Sequence, residues 1–169
     1  PAKYRDEVLR RMNQYVTAAK GSGLILLHEN EKNIYGDTAE RCLDIVESIG
    51  SDQLRVTFDP ANFVECNEET YPKAYHMLRP YLTYMHIKDC LRGSYVVPAG
   101  QGDGNVEQIL RELSSSGYEG FLSLEPHLTY FAGLGALEKE KRFEDETAGD
   151  GQAQFAMAAN ALNAILNKI

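Results

Sequence analysis

Short apolar runs alternate along the chain with amphipathic stretches, and this alternation predicts strands separated by helices. Apolar runs typical of buried strands occupy residues 24–27, 54–58, 82–87 and 121–124. Apolar residues at helical spacing predict helices over 4–20, 39–49, 70–81, 105–113 and 153–166. The pattern therefore predicts an α/β fold of four strand–helix units preceded by one helix.

The strict order of strands and helices limits the topology. Strands separated by helices pair in parallel through right-handed crossovers. An open doubly wound sheet and part of a β/α barrel both fit, although no strand leads into the Gly-x-Gly-x-x-Gly turn of dinucleotide-binding sheets. Residues 126–152 lack an apolar period, and the charged stretch at 138–146 predicts a solvated loop or short exposed helix, with a lid over a site as the alternative.

Composition and charge exclude several classes of protein. The 169 residues are 43% hydrophobic and 25% charged, as in soluble globular domains, and no apolar run approaches the ~20 residues that span a bilayer. The three cysteines cannot all pair within the chain and form no Cys-x-x-Cys, which predicts a cytoplasmic protein with free thiols. The net charge of −8 argues against nucleic acid as a partner.

Each apolar run is followed or closed by a residue that can hold a hard metal ion. These residues are 27 to 39 positions apart, about one strand–helix unit each: Glu29, Asp59, His86 and Glu125. An aspartate after a strand is commonly the cap of the next helix, and a single strand histidine is commonly a core residue. The carboxyl ends of parallel strands meet at one edge, however, so four coincidences predict one shared metal site. Three carboxylates and one imidazole suit Mn²⁺ or Mg²⁺, with Co²⁺ and Zn²⁺ as further candidates.

The residues around these four positions resemble the xylose isomerase-like β/α barrels, which include proteins of the sugar-phosphate isomerase/epimerase type. The matching stretches are His28-Glu29-Asn30-Glu31, Phe58-Asp59-Pro60-Ala61-Asn62, His86-Ile87-Lys88-Asp89 and Leu124-Glu125-Pro126. The resemblance implies a parallel, TIM-type barrel of which residues 1–169 form the C-terminal half of a single domain. A complete barrel has eight units and typically ~250 residues, so we expect part of a longer protein, with a half-barrel dimer as the alternative.

The resemblance also implies a chemistry, that of a metal-dependent sugar or sugar-phosphate isomerase or epimerase. One divalent ion would be held by the four residues at the strand ends. Glu29 and Glu125 would also serve as acid and base, moving a proton through an enediolate that the cation stabilises. Substrate-binding roles fall, by the same resemblance, on Asn62 and Arg92. Lys88 shares strand parity with His86 and should point inward, which predicts that it binds a charged part of the substrate or forms an ion pair. Many family members carry a histidine in place of Asn62, and the alternative for Arg92 is a surface arginine in a loop.

Other functions remain as alternatives at this stage. The same proton abstraction would begin a dehydration, so a lyase acting on a sugar-derived ketone is the nearest competitor. A barrel that binds sugar without catalysis is another. An abasic-site endonuclease, which shares the barrel, would need further histidines as ligands for several metal ions. It is disfavoured because no histidine occurs between residues 88 and 104. The expected partner is a small carbohydrate, with homo-oligomer formation left open and no membrane. The sequence GQGDG at residues 100–104 predicts a flexible turn, with a phosphate cradle as the alternative.

Overall fold

A four-stranded parallel sheet forms the centre of the computed structural model, which describes residues 1–128 and 151–169. Its strands, in spatial order, are β1 (Leu26–Glu29), β2 (Leu54–Phe58), β3 (Leu82–Ile87) and β6 (Phe121–Leu124). A two-stranded antiparallel ribbon, β4 (Asp89–Cys90) and β5 (Val96–Val97), lies in the chain between β3 and β6. Parallel pairing of every neighbouring pair in the main sheet confirms the predicted topology.

Helices precede, connect and follow these strands. They are α1 (Arg5–Ala19), α2 (Ala39–Ile49), α3 (Pro60–Glu65), α4 (Tyr75–Leu78), α5 (Val106–Ser115) and α6 (Gly151–Leu166). Among the described residues, none of the helices combines the length and the apolar character that crossing a bilayer requires. The predicted charged loop or lid at residues 138–146 lies outside the described part of the chain.

The hydrophobic core lies against one face of the sheet. Alternate strand residues that point to this face are fully or almost fully buried, among them Val56, Phe58, Met85 and Ile87. They pack in one cluster with apolar residues from the helices, represented by Ile45, Leu78, Leu110 and Ile165. Because strand side chains alternate between faces, the opposite face carries Glu29, Thr57, His86 and Ser123. Helices gathered on one face of a parallel sheet are the arrangement of a β/α barrel.

The first strand begins and ends two residues later than the sequence predicts. Leu24 and Ile25 precede β1 and are more than half exposed, whereas the strand continues through His28 and Glu29. Backbone pairing determines this boundary, because His28 and Glu29 lie opposite Val56 and Thr57 of β2. The strand predicted from the apolar run is therefore shifted, and Glu29 is the last residue of β1 instead of lying beyond its end.

The predicted helix over 70–81 is wrong as a single element. A wide helical turn (Thr70–Ala74), α4 and a 3-10 turn (Arg79–Tyr81) follow one another there. Tyr71 has extended dihedral angles, φ −136° and ψ 136°, as expected for a residue that precedes proline. Helix α3 is not predicted by the apolar pattern, because its six residues are too few to show a helical period.

Candidate metal centre

Four side chains from four different strands converge at the carboxyl edge of the sheet. Glu29 ends β1, Asp59 directly follows β2, His86 lies one residue before the end of β3, and Glu125 directly follows β6. One ligand atom from each lies within 4.8 Å of the ligand atoms of the other three. Such a group could hold a metal ion, and it is the group that the sequence singled out.

The imidazole of His86 is at the centre of the cluster. Its Nδ1 lies 2.9 Å from Oε1 of Glu29, 3.5 Å from Oε2 of Glu125 and 3.9 Å from Oδ2 of Asp59. Nδ1 thus faces all three carboxylates at once. The three carboxylates differ in exposure. The Asp59 side chain is fully buried, whereas those of Glu29 and Glu125 are about one-third exposed.

The electrostatics of the cluster indicate a demand for positive charge. Hydrogen bonding to Glu125 and then to Glu29 raises the pKa of His86 to about 10. Burial opposes ionisation of Glu125, but the bond to His86 and the charge of Lys88 outweigh it and hold the pKa of that carboxyl well below its usual range. Burial raises the pKa of Asp59, and the positive charge of Lys88 opposes that rise. A proton on His86 occupies the place of a cation here, and a metal ion would displace it, since ligating imidazoles are neutral.

Asp59 is both a helix cap and a member of the cluster. Its Oδ1 accepts the backbone N–H of Asn62 at 2.9 Å and so caps α3, while its Oδ2 faces His86 and Lys88. Oδ2 is buried and accepts no well-directed hydrogen bond from the described residues. The two interpretations of this aspartate, a helix cap and a member of a shared metal site, are therefore compatible. The oxygen left without a well-directed donor, within a set of oxygen and nitrogen ligands, fits a hard divalent cation.

Asn30 fixes the backbone at Asp59 and was not among the predicted site residues. Its Oδ1 accepts the N–H of Asp59 and its Nδ2 donates to the carbonyl of Asp59, both at 2.9 Å, and its side chain is fully buried. This reciprocal pair ties the end of β1 to the end of β2. The signal in the sequence was an amide residue directly after Glu29, since an asparagine can satisfy one donor and one acceptor of a neighbouring strand.

Asn62, a predicted substrate-binding residue, is directed towards the cluster but is already engaged. Its Nδ2 donates to the carbonyl of Asn30 at 2.9 Å and lies 3.4 Å from carboxylate oxygens of both Glu29 and Glu31. Asn62 is almost fully buried. In this geometry it supports the ends of β1 and β2, and contact with a substrate remains a prediction.

Lys88 and Arg92 lie in different environments. The Nζ of Lys88 lies 3.0 Å from Oδ2 of Asp59 and 3.0 Å from Oε2 of Glu125, so it points to the cluster as its strand parity predicts. The guanidinium of Arg92 is exposed and donates to the carbonyl of Glu68 at 3.1 Å. No hydrogen bond or ion pair among the described residues joins Arg92 to the four clustered side chains. Its role in substrate binding stays a prediction.

The glycine-rich loop at 100–104 wraps around an internal anion. The carboxylate of Asp89 accepts the N–H groups of Gly100, Gly102, Gly104 and Cys90, at 2.9 to 3.0 Å. Burial raises the pKa of Asp89, and these four donors limit the rise. A Cβ at Gly102 would approach Asp89 Oδ1 to 2.3 Å, so the loop needs glycine there. The loop is a turn, as predicted, and its backbone N–H groups are held by Asp89. The alternative, a phosphate cradle, is not available to a ligand because Asp89 occupies it.

The remaining histidines occupy distinct places. His28 points away from the cluster, is almost fully buried, and has its pKa lowered to about 4 by burial, so it is neutral. His76 is exposed and lies 3.1 Å from Glu112. The Nε2 of His127 lies 3.9 Å from Oε1 of Glu125, which places a second imidazole beside the cluster.

Comparison with known proteins extends these observations. A family model described as xylose isomerase-like TIM barrel matches residues 1–163. The chain superposes on D-psicose 3-epimerase with D-tagatose from Clostridium cellulolyticum H10 with a TM-score of 0.75 at 20% identity, covering 96% of this chain and 55% of that one. For a xylose isomerase domain protein from Planctomyces limnophilus the TM-score is 0.69 at 22% identity, covering 97% and 52%.

A third solved structure contains a metal ion. It is a xylose isomerase-like TIM barrel protein from Mycobacterium smegmatis in complex with magnesium, with a TM-score of 0.66, 20% identity, and 96% and 53% coverage. The chain thus spans about half the length of the solved structures that it matches. No curated protein sequence matches it. At these identities the structural likeness shows the fold, a partial β/α barrel.

Proposed function

The chain belongs to the xylose isomerase-like TIM barrel family, and from that premise we propose that it forms the metal-holding half of a sugar isomerase or epimerase. One observation carries the proposal: ligand atoms of Glu29, Asp59, His86 and Glu125 lie within 4.8 Å of one another at the edge where barrel enzymes hold their active sites. The whole reaction belongs to a protein with a complete barrel, since similar solved structures are about twice as long.

The donor set favours one divalent ion, Mn²⁺ or Mg²⁺. Three carboxylates and one imidazole are hard ligands, and the cysteine thiols are absent from the cluster. Such an ion, when bound, supplies positive charge for the oxygens of a carbonyl substrate as negative charge develops on them. The magnesium complex of the similar protein from Mycobacterium smegmatis supports this choice of cation class.

Differences in exposure divide the roles of the three carboxylates. Asp59 is fully buried and caps α3 with its other oxygen, so it can hold a cation but cannot contact a substrate. Glu29 and Glu125 are about one-third exposed and can do both. We assign to them the removal of a proton from the carbon beside the carbonyl and its return to the opposite face or to the neighbouring carbon. The pKa of Glu125, held well below its usual range, keeps this carboxyl ionised at neutral pH, as both a metal ligand and a base must be.

Solvent exchange tests the proposal directly. We expect the intact protein, supplied with Mn²⁺ in D₂O, to incorporate deuterium at a carbonyl-adjacent carbon of at least one sugar in a panel of ketoses. The sugars named for similar solved structures form the first panel: D-psicose, D-tagatose, D-fructose and L-ribulose. Nuclear magnetic resonance of the recovered sugar reports both the exchange and any new epimer or isomer.

Each other outcome points to one of the competing functions. Loss of water from the substrate, rather than return of the proton, would indicate a dehydratase, and a probable 3-DHS dehydratase from Bacillus anthracis is among the similar folds. Absence of exchange across a broad panel, with one equivalent of metal bound, would contradict the enzymatic proposal and favour a barrel that binds sugar without catalysis.

A further inference from the structure

The ammonium group of Lys88 contacts two of the clustered carboxylates. We propose that Lys88 is a permanent counter-ion of the metal centre, which positions Asp59 and Glu125 and restricts the centre to one divalent charge. This inference rests on the proposed function and replaces the predicted contact between Lys88 and a substrate.

Lys88 is more deeply buried than the two glutamates of the cluster. The Lys88 side chain is 5% exposed, whereas those of Glu29 and Glu125 are about one-third exposed. Its Nζ lies 3.0 Å from each of two carboxylate oxygens, Oδ2 of Asp59 and Oε2 of Glu125. A buried ammonium group that donates to Glu125 and forms an ion pair with Asp59 has little capacity to reach a substrate in the cleft. Removing the lysine would leave a buried carboxylate without its counter-ion, which is costly.

Lys88 contacts the same carboxylate oxygens that face His86. Oδ1 of Asp59 is occupied by the N–H of Asn62, so Oδ2 is the oxygen that faces His86 at 3.9 Å. The same Oδ2 contacts Lys88. Likewise Oε2 of Glu125 faces His86 at 3.5 Å and contacts Lys88 at 3.0 Å. A cation between the four side chains therefore shares its oxygens with the lysine instead of displacing it to another partner.

The positive charge of Lys88 completes the charge balance of the centre. The three carboxylates carry three negative charges when ionised, and one divalent ion leaves a single negative charge in a largely buried centre. Lys88 neutralises that remainder. Its positive charge keeps the fully buried Asp59 paired before a metal arrives, and it repels any cation that then binds. Lys88 thus stabilises the metal-free protein at the cost of cation affinity.

The backbone that carries Lys88 is held in place. Asp89, the next residue, is fully buried and accepts four N–H bonds, three of them from the loop at 100–104. Ile87, the preceding residue, belongs to β3 and its carbonyl accepts the N–H of Glu125 at 3.2 Å. Lys88 is therefore fixed on both sides, and one of these anchors is the backbone of its own partner Glu125.

Titration of the intact protein with Mn²⁺ by calorimetry tests the inference. The variants are Lys88→Met, which removes the charge and keeps the length of the side chain, Lys88→Gln, which keeps a donor, and Lys88→Arg, which keeps the charge. We expect the two neutral variants to bind Mn²⁺ at least ~10-fold more tightly than the wild type, because the repulsion of a nearby positive charge is gone. Lys88→Arg should stay within about threefold of the wild type.

A lysine outside the centre provides the matched control. Lys73 also contacts two carboxylates, Glu40 at 2.7 Å and Glu68 at 3.7 Å, but on the surface. We expect Lys73→Met to leave Mn²⁺ affinity unchanged. Thermal melting supplies a second measurement: the metal-free neutral variants at position 88 should melt below the wild type, and saturating Mn²⁺ should raise their Tm more than it raises that of the wild type.

The outcomes separate this inference from the proposed function. A wild type that binds no divalent ion would overturn both. A wild type that binds Mn²⁺, together with unchanged or weaker binding in the neutral variants, would overturn the role of Lys88 alone. Neutral variants that fail to fold even with saturating Mn²⁺ would also overturn it, because the metal ion should supply the missing positive charge.

Discussion

Replacing Glu125 with glutamine should lower turnover at least ~100-fold at saturating Mn²⁺ while leaving the protein folded. A glutamine side chain cannot take up a proton at neutral pH, so the proton transfer that we assign to Glu125 is lost. The fold should persist, because the glutamine carbonyl can still accept a hydrogen bond from Lys88 and the backbone N–H at this position still donates to Ile87. The measurement is the turnover of the ketose that shows deuterium exchange, at a metal concentration that saturates the variant.

A surface glutamate is the control for that result. Glu107 is half-exposed on α5 and forms an ion pair with Arg111, one turn further along the helix, so Glu107→Gln should retain wild-type turnover. Turnover by Glu125→Gln within about tenfold of the wild type, with metal bound, would mean that Glu125 is a ligand without a part in proton transfer.

Asp89→Asn should destabilise the protein by about 3 kcal/mol, because the amide that replaces one carboxylate oxygen would face two N–H donors that it cannot accept. Oδ2 of Asp89 accepts from Gly100 and Gly102, and Oδ1 accepts from Gly104 and Cys90, so either orientation of the amide loses two bonds. Urea unfolding of the intact protein gives the free-energy difference.

The matched control for this change is Asp52→Asn. The Asp52 side chain is fully exposed and, within the described part of the chain, pairs with Arg55 at 2.8 Å, so its replacement should leave the free energy of unfolding close to that of the wild type. If Asp89→Asn were as mild as Asp52→Asn, the loop at 100–104 would hold its conformation without the internal anion.

Strand order could be predicted from the sequence because buried strands are apolar and the helices between them have a clear period. The exact end of β1 could not be predicted, since pairing with β2 extends the strand through two polar residues, His28 and Glu29. The helix predicted over 70–81 failed for a local reason, the proline at 72, whose preceding residue adopts an extended backbone.

The candidate site could be predicted because parallel strands bring their carboxyl ends to one edge, so residue type and repeat position sufficed for four side chains. Their supports could not be predicted in the same way. Asn30 acts on the backbone of Asp59, and Asp89 acts on three glycines 11 to 15 residues away. Both depend on loop conformations, which no periodicity encodes. The position of Lys88 followed from strand parity, but its two carboxylate partners emerged only from the structure.

Crystallography of the intact protein with Mn²⁺ would show whether Glu29, Asp59, His86 and Glu125 hold one divalent ion. We predict a single anomalous-scattering peak at the carboxyl edge of the sheet, within about 2.5 Å of oxygens from Glu29, Asp59 and Glu125 and of a ring nitrogen of His86. Two results from a crystal soaked to saturation would contradict this metal centre. One is the absence of a peak at this edge, and the other is a peak bound by other residues while these four side chains point apart.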